Sequence, residues 1–287
     1  MPKNIFLQIN SSGCLTSCQH CWAQSKPFRH IPLSDVEDIL FKMKEYLVDK
    51  PEYTLDPFPM FEELAHPETV EQMKLFIKYG MTPYEMPTSG IALASRTDWK
   101  QILDCIKELE YKFMVLSFHG IGSTHDKAVN RNGAFEDLKM ALKRIRSAGI
   151  DFSVNVFITK ESANEIPELI NKVIVPDKVH ENILISFARY NATSRGRKYE
   201  QIRAEYSDVE KISSTLAEYC GDGETVPDKE QFLSGIKANT EAELVKLALS
   251  LSNEERKNYK PRFMDDIWLV ADQNFDLYTG KGNYLTI

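Results

Sequence analysis

Three cysteines stand within eight residues in Gly13-Cys14-Leu15-Thr16-Ser17-Cys18-Gln19-His20-Cys21-Trp22, a C-x3-C-x2-C spacing. Three thiolates this close together can wrap one metal centre. With no fourth cysteine nearby, they leave one iron of a 4Fe-4S cluster without a protein ligand and open to a small molecule. Two other chemistries use the same residue types. A structural zinc would take cysteines together with His20 or His30, and Cys18-Gln19-His20-Cys21 alone has the form of a dithiol redox pair.

Such a loop needs a scaffold, and the chain supplies one by alternation. Short β-branched or aromatic runs near 4–10, 52–56, 82–87, 112–118, 152–158 and 181–188 alternate with amphipathic segments, the pattern of parallel strands joined by crossover helices. Val36, Ile39, Leu40, Met43 and Leu47 form one helical stripe, and Ser34 with Glu37 predicts a capping box at its start. Ser162 with Glu165 predicts a second one, before Ile166, Leu169 and Ile170. Gly80 and Gly149 fall where helices should end in a left-handed residue. Six β/α units in this length predict an α/β fold, a partial (β/α)6 TIM-type barrel over residues 1–204, with its functional face at the carboxyl ends of the strands. Residues 205–287 are expected to form a C-terminal helical and β-hairpin extension packed on the barrel. Its helical stripes are Val209, Ile212 and Leu216, then Leu244, Leu247, Ala248 and Leu251, and its hairpin pairs Ile267–Ala271 with Phe275–Tyr278.

Polar residues follow the strands in order. After the second comes Met60-Phe61-Glu62-Glu63-Leu64-Ala65-His66-Pro67, after the third Pro87-Thr88-Ser89-Gly90, and after the fourth Ser117-Phe118-His119-Gly120. The fifth carries Asn155 among apolar neighbours, and the sixth leads through Arg189 to the basic run Arg195-Gly196-Arg197-Lys198. The cysteine spacing, the aromatic His20 before the third cysteine and this order of strand ends resemble the radical S-adenosylmethionine (radical SAM) superfamily, across roughly residues 4–200. The resemblance implies one 4Fe-4S cluster on Cys14, Cys18 and Cys21, whose open iron is chelated by S-adenosylmethionine. It also implies reductive cleavage to a 5′-deoxyadenosyl radical that abstracts hydrogen from substrate. In the family a Gly-Gly-Glu-Pro segment contacts the methionine amino group. Here Met60 and Phe61 replace both glycines, so only the carboxylate carries over, onto Glu62 with Glu63 as the alternative. The plainer reading of two adjacent glutamates is a solvated first turn of a helix. The resemblance further assigns His20, Thr88, Ser89, Ser117, His119 and Asn155 to the cofactor pocket: Ser117 to the methionine carboxylate, His119 to the ribose or the substrate, and Asn155 to the ribose or the carboxylate. Plainer roles for these are turn closure at Thr88 and Ser89 and hydrogen-bonded packing at His119.

The 287 residues carry 43% hydrophobic and 27% charged side chains and a formal charge of −7. That balance fits a globular protein and disfavours nucleic acid as a bulk electrostatic partner. No run is apolar for the roughly 18–20 residues of a membrane span. With no signal-peptide pattern, and only Cys105 and Cys220 beyond the cluster, a cytoplasmic, reducing location is expected. The hairpin resembles the opening of the SPASM or twitch extension of peptide-modifying relatives but lacks its cysteines, so a single cluster is expected. No leader-peptide recognition domain is expected before a loop that begins at residue 14. The expected partners are a peptide or small-molecule substrate and a one-electron donor such as flavodoxin or ferredoxin. The leading reading is modification of a peptide or protein side chain. The alternatives are epimerisation, oxidation or rearrangement of a small molecule, and a non-catalytic iron- or zinc-binding structural or sensor protein.

Overall fold

Parallel strands need crossovers, and in the computed structural model of the chain helices supply them. It describes residues 3–9, 11–19, 30–49, 53–57, 61–81, 85–175, 183–184, 202, 204–219, 267–271 and 277–279. His20, Cys21, Met60, Arg189, the 195–198 run, Cys220 and the apolar stripe at 244–251 lie outside the described residues. Strand β1 (Lys3–Ile9) is followed by helix α1 (Leu33–Leu47), β2 (Tyr53–Pro57), α2 (Thr69–Lys78), β3 (Glu85–Thr88), α3 (Ile91–Ser95) and α4 (Trp99–Glu108). Next come β4 (Phe113–Phe118), α5 (Ser123–Val129), α6 (Ala134–Ala148), β5 (Phe152–Val156), α7 (Ile166–Glu168) and β6 (Ile183–Leu184). The helix begun by α7 widens into a π-helical turn at Leu169–Ile174. Two short helices, Tyr206–Lys211 and Ser213–Tyr219, precede β7 (Ile267–Ala271) and β8 (Leu277–Thr279).

Strands β3, β4, β5 and β6 pair in that order, all parallel. A second sheet runs β2, β1, β7, β8, parallel except for the β7–β8 hairpin. Among the described residues no ladder joins β2 to β3, so the sheet is open, as in a partial TIM-type barrel. The hairpin expected near 267–278 is present and joins the barrel's own sheet, with β7 lying beside β1.

Period decides which face is buried. Met114, Leu116 and Phe118 of β4 and Phe152, Val154 and Val156 of β5 alternate onto the helix side and pack with Ile102 and Ile106 of α4 and Leu138, Ala141 and Ile145 of α6 in the main core. A second cluster, Ile9, Ile31, Val36, Ile39, Leu40, Met43, Phe76 and Met81, seats α1 and α2 against the end of β1. Each fully buried Leu or Ile contributes roughly 1.5–3 kcal/mol.

Neither predicted capping box forms. Helix α1 begins at Leu33 behind Pro32 with no side-chain cap, which places Ser34 inside the first turn, where its hydroxyl meets Asp35 at 3.4 Å. Glu37 is drawn away to α2, accepting from Lys78 Nζ at 2.5 Å and Tyr79 Oη at 2.9 Å. Ser162 instead closes the turn after β5, its Oγ accepting from the Thr159 N–H at 2.9 Å. Gly80 and Gly149 do adopt left-handed φ of +77° and +67° at their helix ends.

Candidate functional site

The loop that leaves β1 carries Cys14 and Cys18, both half-buried, behind fully buried Ser11 and Ser12. Thr16 Oγ1 lies 3.4 Å from Cys18 Sγ. The last carbonyls of a helix have no partner within it, and the loop uses those of α5: the Ser17 N–H donates to the Val129 carbonyl at 3.0 Å and the Gln19 N–H to the Ala128 carbonyl at 2.8 Å. Gln19 Nε2 adds a bond to the Lys127 carbonyl at 3.0 Å. The cysteine loop is therefore docked, by its own backbone, on the helix that follows β4. Its thiols are the donor type an iron–sulfur cluster requires, they are held outside the hydrocarbon core, and they lie at the carboxyl end of β1. By contrast Cys105 sits in the main core on α4, 3% exposed, and burial raises its thiol pKa.

Glu62 and Glu63 are both buried, 3% and 4% exposed, which overturns the reading of a solvated first turn. They precede and open a single 3-10 turn, Glu63–Ala65. Glu62 Oε1 accepts from Thr88 Oγ1 at 2.7 Å and Oε2 from the Ser89 N–H at 2.5 Å. The Thr88 hydroxyl also accepts from the Gly90 N–H at 2.9 Å, so it is committed to holding Glu62. Burial pushes the Glu62 carboxyl above its ordinary range, and the bonds from Ser89 and Thr88 pull it part of the way back. Burial and then the charge of Glu62 push Glu63 up to about 8. Among the described residues no cation pairs with either carboxyl.

Ser117 and Asn155 are register partners on β4 and β5, so their side chains stand on the same face of the sheet, opposite the helices. Both are half-buried, and Asn155 Oδ1 is a buried acceptor without a partner among the described residues. An orphaned polar atom of this kind calls for a ligand or water. His119 is 3% exposed, its ring 4.6 Å from that of Phe157 and 5.4 Å from that of His125. Its backbone N–H donates to His125 Nδ1 at 3.2 Å. Burial lowers the His125 pKa to about 4, with Asp126 opposing, so His125 is neutral at pH 7.

Other side chains that shape this end escape sequence reasoning. Glu165 accepts from the Ile121 N–H and from Thr124 Oγ1, each at 2.7 Å, and so straps the β4–α5 loop to the turn after β5. Asp126 accepts from the Gly133 and Phe135 N–H groups at 2.6 and 2.8 Å, opening α6. Arg96 donates to the His66 carbonyl in the segment that carries Glu62, and His66 Nε2 meets the Ile31 carbonyl. The Asp126 signal, an acid shortly before a glycine at a helix start, is visible in the sequence. The others act on partners about 30 or more positions away and leave no local mark.

The sequence profile of the Radical SAM superfamily matches residues 11–173. No curated protein matches the chain. Among solved structures, SuiB of Streptococcus suis bound to S-adenosylmethionine superposes with a TM-score of 0.57 at 15% identity, over 96% of this chain and 60% of that one. Native anSMEcpe with bound AdoMet and Cp18Cys peptide gives 0.52 at 16% identity, over 75% and 59%. Coproporphyrinogen III oxidase (HemN) from Escherichia coli gives 0.50 at 12%, over 75% and 52%. At these identities the likeness is one of fold, and the chain spans about three fifths of the length of the first two. Among the described residues no helix is long and apolar enough to cross a membrane.

Proposed function

The chain belongs to the radical SAM superfamily, and on that premise we propose that it is an enzyme that cleaves S-adenosylmethionine reductively and modifies a peptide or protein side chain. Cys14, Cys18 and Cys21 hold one 4Fe-4S cluster. The chemistry supplied by that cluster with S-adenosylmethionine is one-electron cleavage of the sulfonium to a 5′-deoxyadenosyl radical that takes hydrogen from the substrate.

This chain's own residues bind and orient. Glu62 receives the methionine ammonium, and that single feature carries the reading: a buried carboxylate, fixed by two donors and facing no cation among the described residues, is costly until a cation arrives. Ser89, Ser117 and Asn155 line the carboxyl ends of β3, β4 and β5 for the remaining polar groups of the ligand, with Asn155 Oδ1 the acceptor still to be satisfied. His20, from its place before Cys21 in the sequence, is assigned to the same pocket, and His119 packs beside it. Thr88 acts through Glu62. Residues 1–204 form the core and 205–287 an extension, of the SPASM or twitch type without its extra clusters, whose hairpin adds β7 and β8 to the core's sheet. The peptide reading rests on hairpin β7–β8 and on fold likeness to anSMEcpe, whose structure holds a peptide. An electron donor of the flavodoxin or ferredoxin class and a cytoplasmic, reducing location follow from the chemistry.

The test is anaerobic reconstitution. Wild type should bind four irons and, with reductant and S-adenosylmethionine, release 5′-deoxyadenosine and methionine. Cys14→Ala, Cys18→Ala or Cys21→Ala should remove both, while Cys105→Ala keeps them. One zinc per chain with no deoxyadenosine would replace this reading with a structural metal protein.

A further inference from the structure

We propose that His66 is a positioning residue that clamps the neck of the cysteine loop to the segment carrying Glu62, fixing where the cluster sits relative to that carboxylate. The inference rests on the reading of this loop as the seat of the cluster. The neck is one hydrogen bond: the Ile31 N–H donates to the Ser11 carbonyl at 2.9 Å, closing residues 11–31 into a loop. The other side of Ile31, its carbonyl, meets His66 Nε2 at 2.9 Å in a buried contact. The Glu68 N–H donates to His66 Nδ1 at 3.1 Å. A neutral imidazole has one donor and one acceptor nitrogen. Because Nδ1 accepts, the proton is on Nε2 and points at the Ile31 carbonyl, so both ring positions are fixed by backbone.

The segment between the two functions is short and stiff. Within it the Ala65 N–H donates to the Glu62 carbonyl at 3.0 Å and the His66 N–H to the Glu63 carbonyl at 2.9 Å. One 3-10 turn thus separates the carboxylate fastened to the β3 turn from the imidazole fastened to the loop. Arg96 grips this turn from outside, donating to the carbonyls of His66 at 2.7 Å and Pro67 at 2.9 Å, while Asp98 holds the guanidinium by two bonds of 2.8 and 2.6 Å. His66 is 1% exposed, with the His30 ring edge-on at 5.2 Å. A buried ring with both nitrogens spent on backbone is equipped to set distance and angle between two ligand-bearing segments.

His66→Phe keeps a ring and removes both bonds; His66→Gln keeps a donor near the Nε2 position and loses the Nδ1 acceptor. Before any iron is added, amide hydrogen exchange in full-length His66→Phe should be faster by about five- to tenfold at Glu68, whose N–H loses its acceptor, the size expected of one lost hydrogen bond; it should also be faster at Ile31, whose N–H bond to the Ser11 carbonyl is the neck that the clamp steadies, and unchanged in α6. His66→Gln should stay protected at Ile31 and lose protection at Glu68. After anaerobic reconstitution, the electron paramagnetic resonance spectrum of the reduced cluster with S-adenosylmethionine should change in His66→Phe and return towards wild type in His66→Gln. Wild-type exchange at Ile31 in His66→Phe, or lost protection there in His66→Gln, would overturn the clamp, and the second result decides even if the phenylalanine variant does not fold. A wild-type protein that takes up no iron would instead count against the proposed function, with the exchange comparison still deciding the clamp.

Discussion

Glu62 and Glu63 are adjacent, buried and unequal, and the inequality comes from their donors. Glu62 has the Thr88 hydroxyl and the Ser89 N–H, whereas Glu63 has burial and its neighbour's charge. Removing the charge of Glu62 turns the acceptor proposed for the ligand's ammonium into a neutral amide oxygen. A charge-assisted bond of that kind contributes about 1.5–3 kcal/mol, so Glu62→Gln should weaken S-adenosylmethionine binding by roughly tenfold to a hundredfold while iron content is retained, as read by calorimetric titration. Glu63 should show itself in stability instead. Its folded pKa, about 8, lies above the unconstrained 4.5, so between those values the folded state keeps a proton that the unfolded chain releases. This contribution is fully present below about pH 4.5 and is lost as pH rises through about 8. Urea unfolding across that range should show stability falling with pH in wild type and a flatter profile in Glu63→Gln. Equal slopes in both would place the Glu63 carboxyl in water.

Between elements, the connection from β4 to α5 is strapped down by Glu165. Gly120 has φ of +128°, and a Cβ there would stand 2.6 Å from Thr124 Cγ2 and 2.8 Å from Glu165 Oε2. Gly120→Ala should therefore cost about 2–4 kcal/mol, strain and overpacking together, measured by urea unfolding; a loss below about 1 kcal/mol would mean that the strap yields. The order of strands, helices and polar strand ends was readable in the sequence because each depends on local period: β4 and β5 alternate as the pattern requires, and Ser117 and Asn155 fall on the shared face. The fates of Glu37 and Glu165 were not. Each stands three residues after a serine, the mark of a capping box, yet each carboxylate is claimed by groups that the fold brings from far along the chain, Lys78 and Tyr79 for one, Ile121 and Thr124 for the other. The burial of both Glu62 and Glu63 was equally hidden, because it depends on the β3 turn closing over them.

At the scale of the molecule, β1 has a neighbour on each side, β2 and β7, with Ile5 opposite Ile267 and Leu7 opposite Leu269. The strand that launches the cysteine loop is therefore a central strand of its sheet. Proline removes a ladder donor and is excluded from such positions, so Leu269→Pro should unfasten the sheet beside β1 and lower iron uptake on reconstitution, with protease cutting near residues 11–31 as a second reading. Full iron loading in that variant would show that β2 and α5 suffice to hold the loop. The pairing of Ile5 with Ile267 also sets a clock for the growing polypeptide. At about 5–20 residues per second, on the order of ten to fifty seconds pass on the ribosome between the two halves of this ladder. Throughout that interval the newborn chain carries its thiols with β2 but not β7 beside β1, so the strand that launches the cysteine loop spends it as an edge of its sheet.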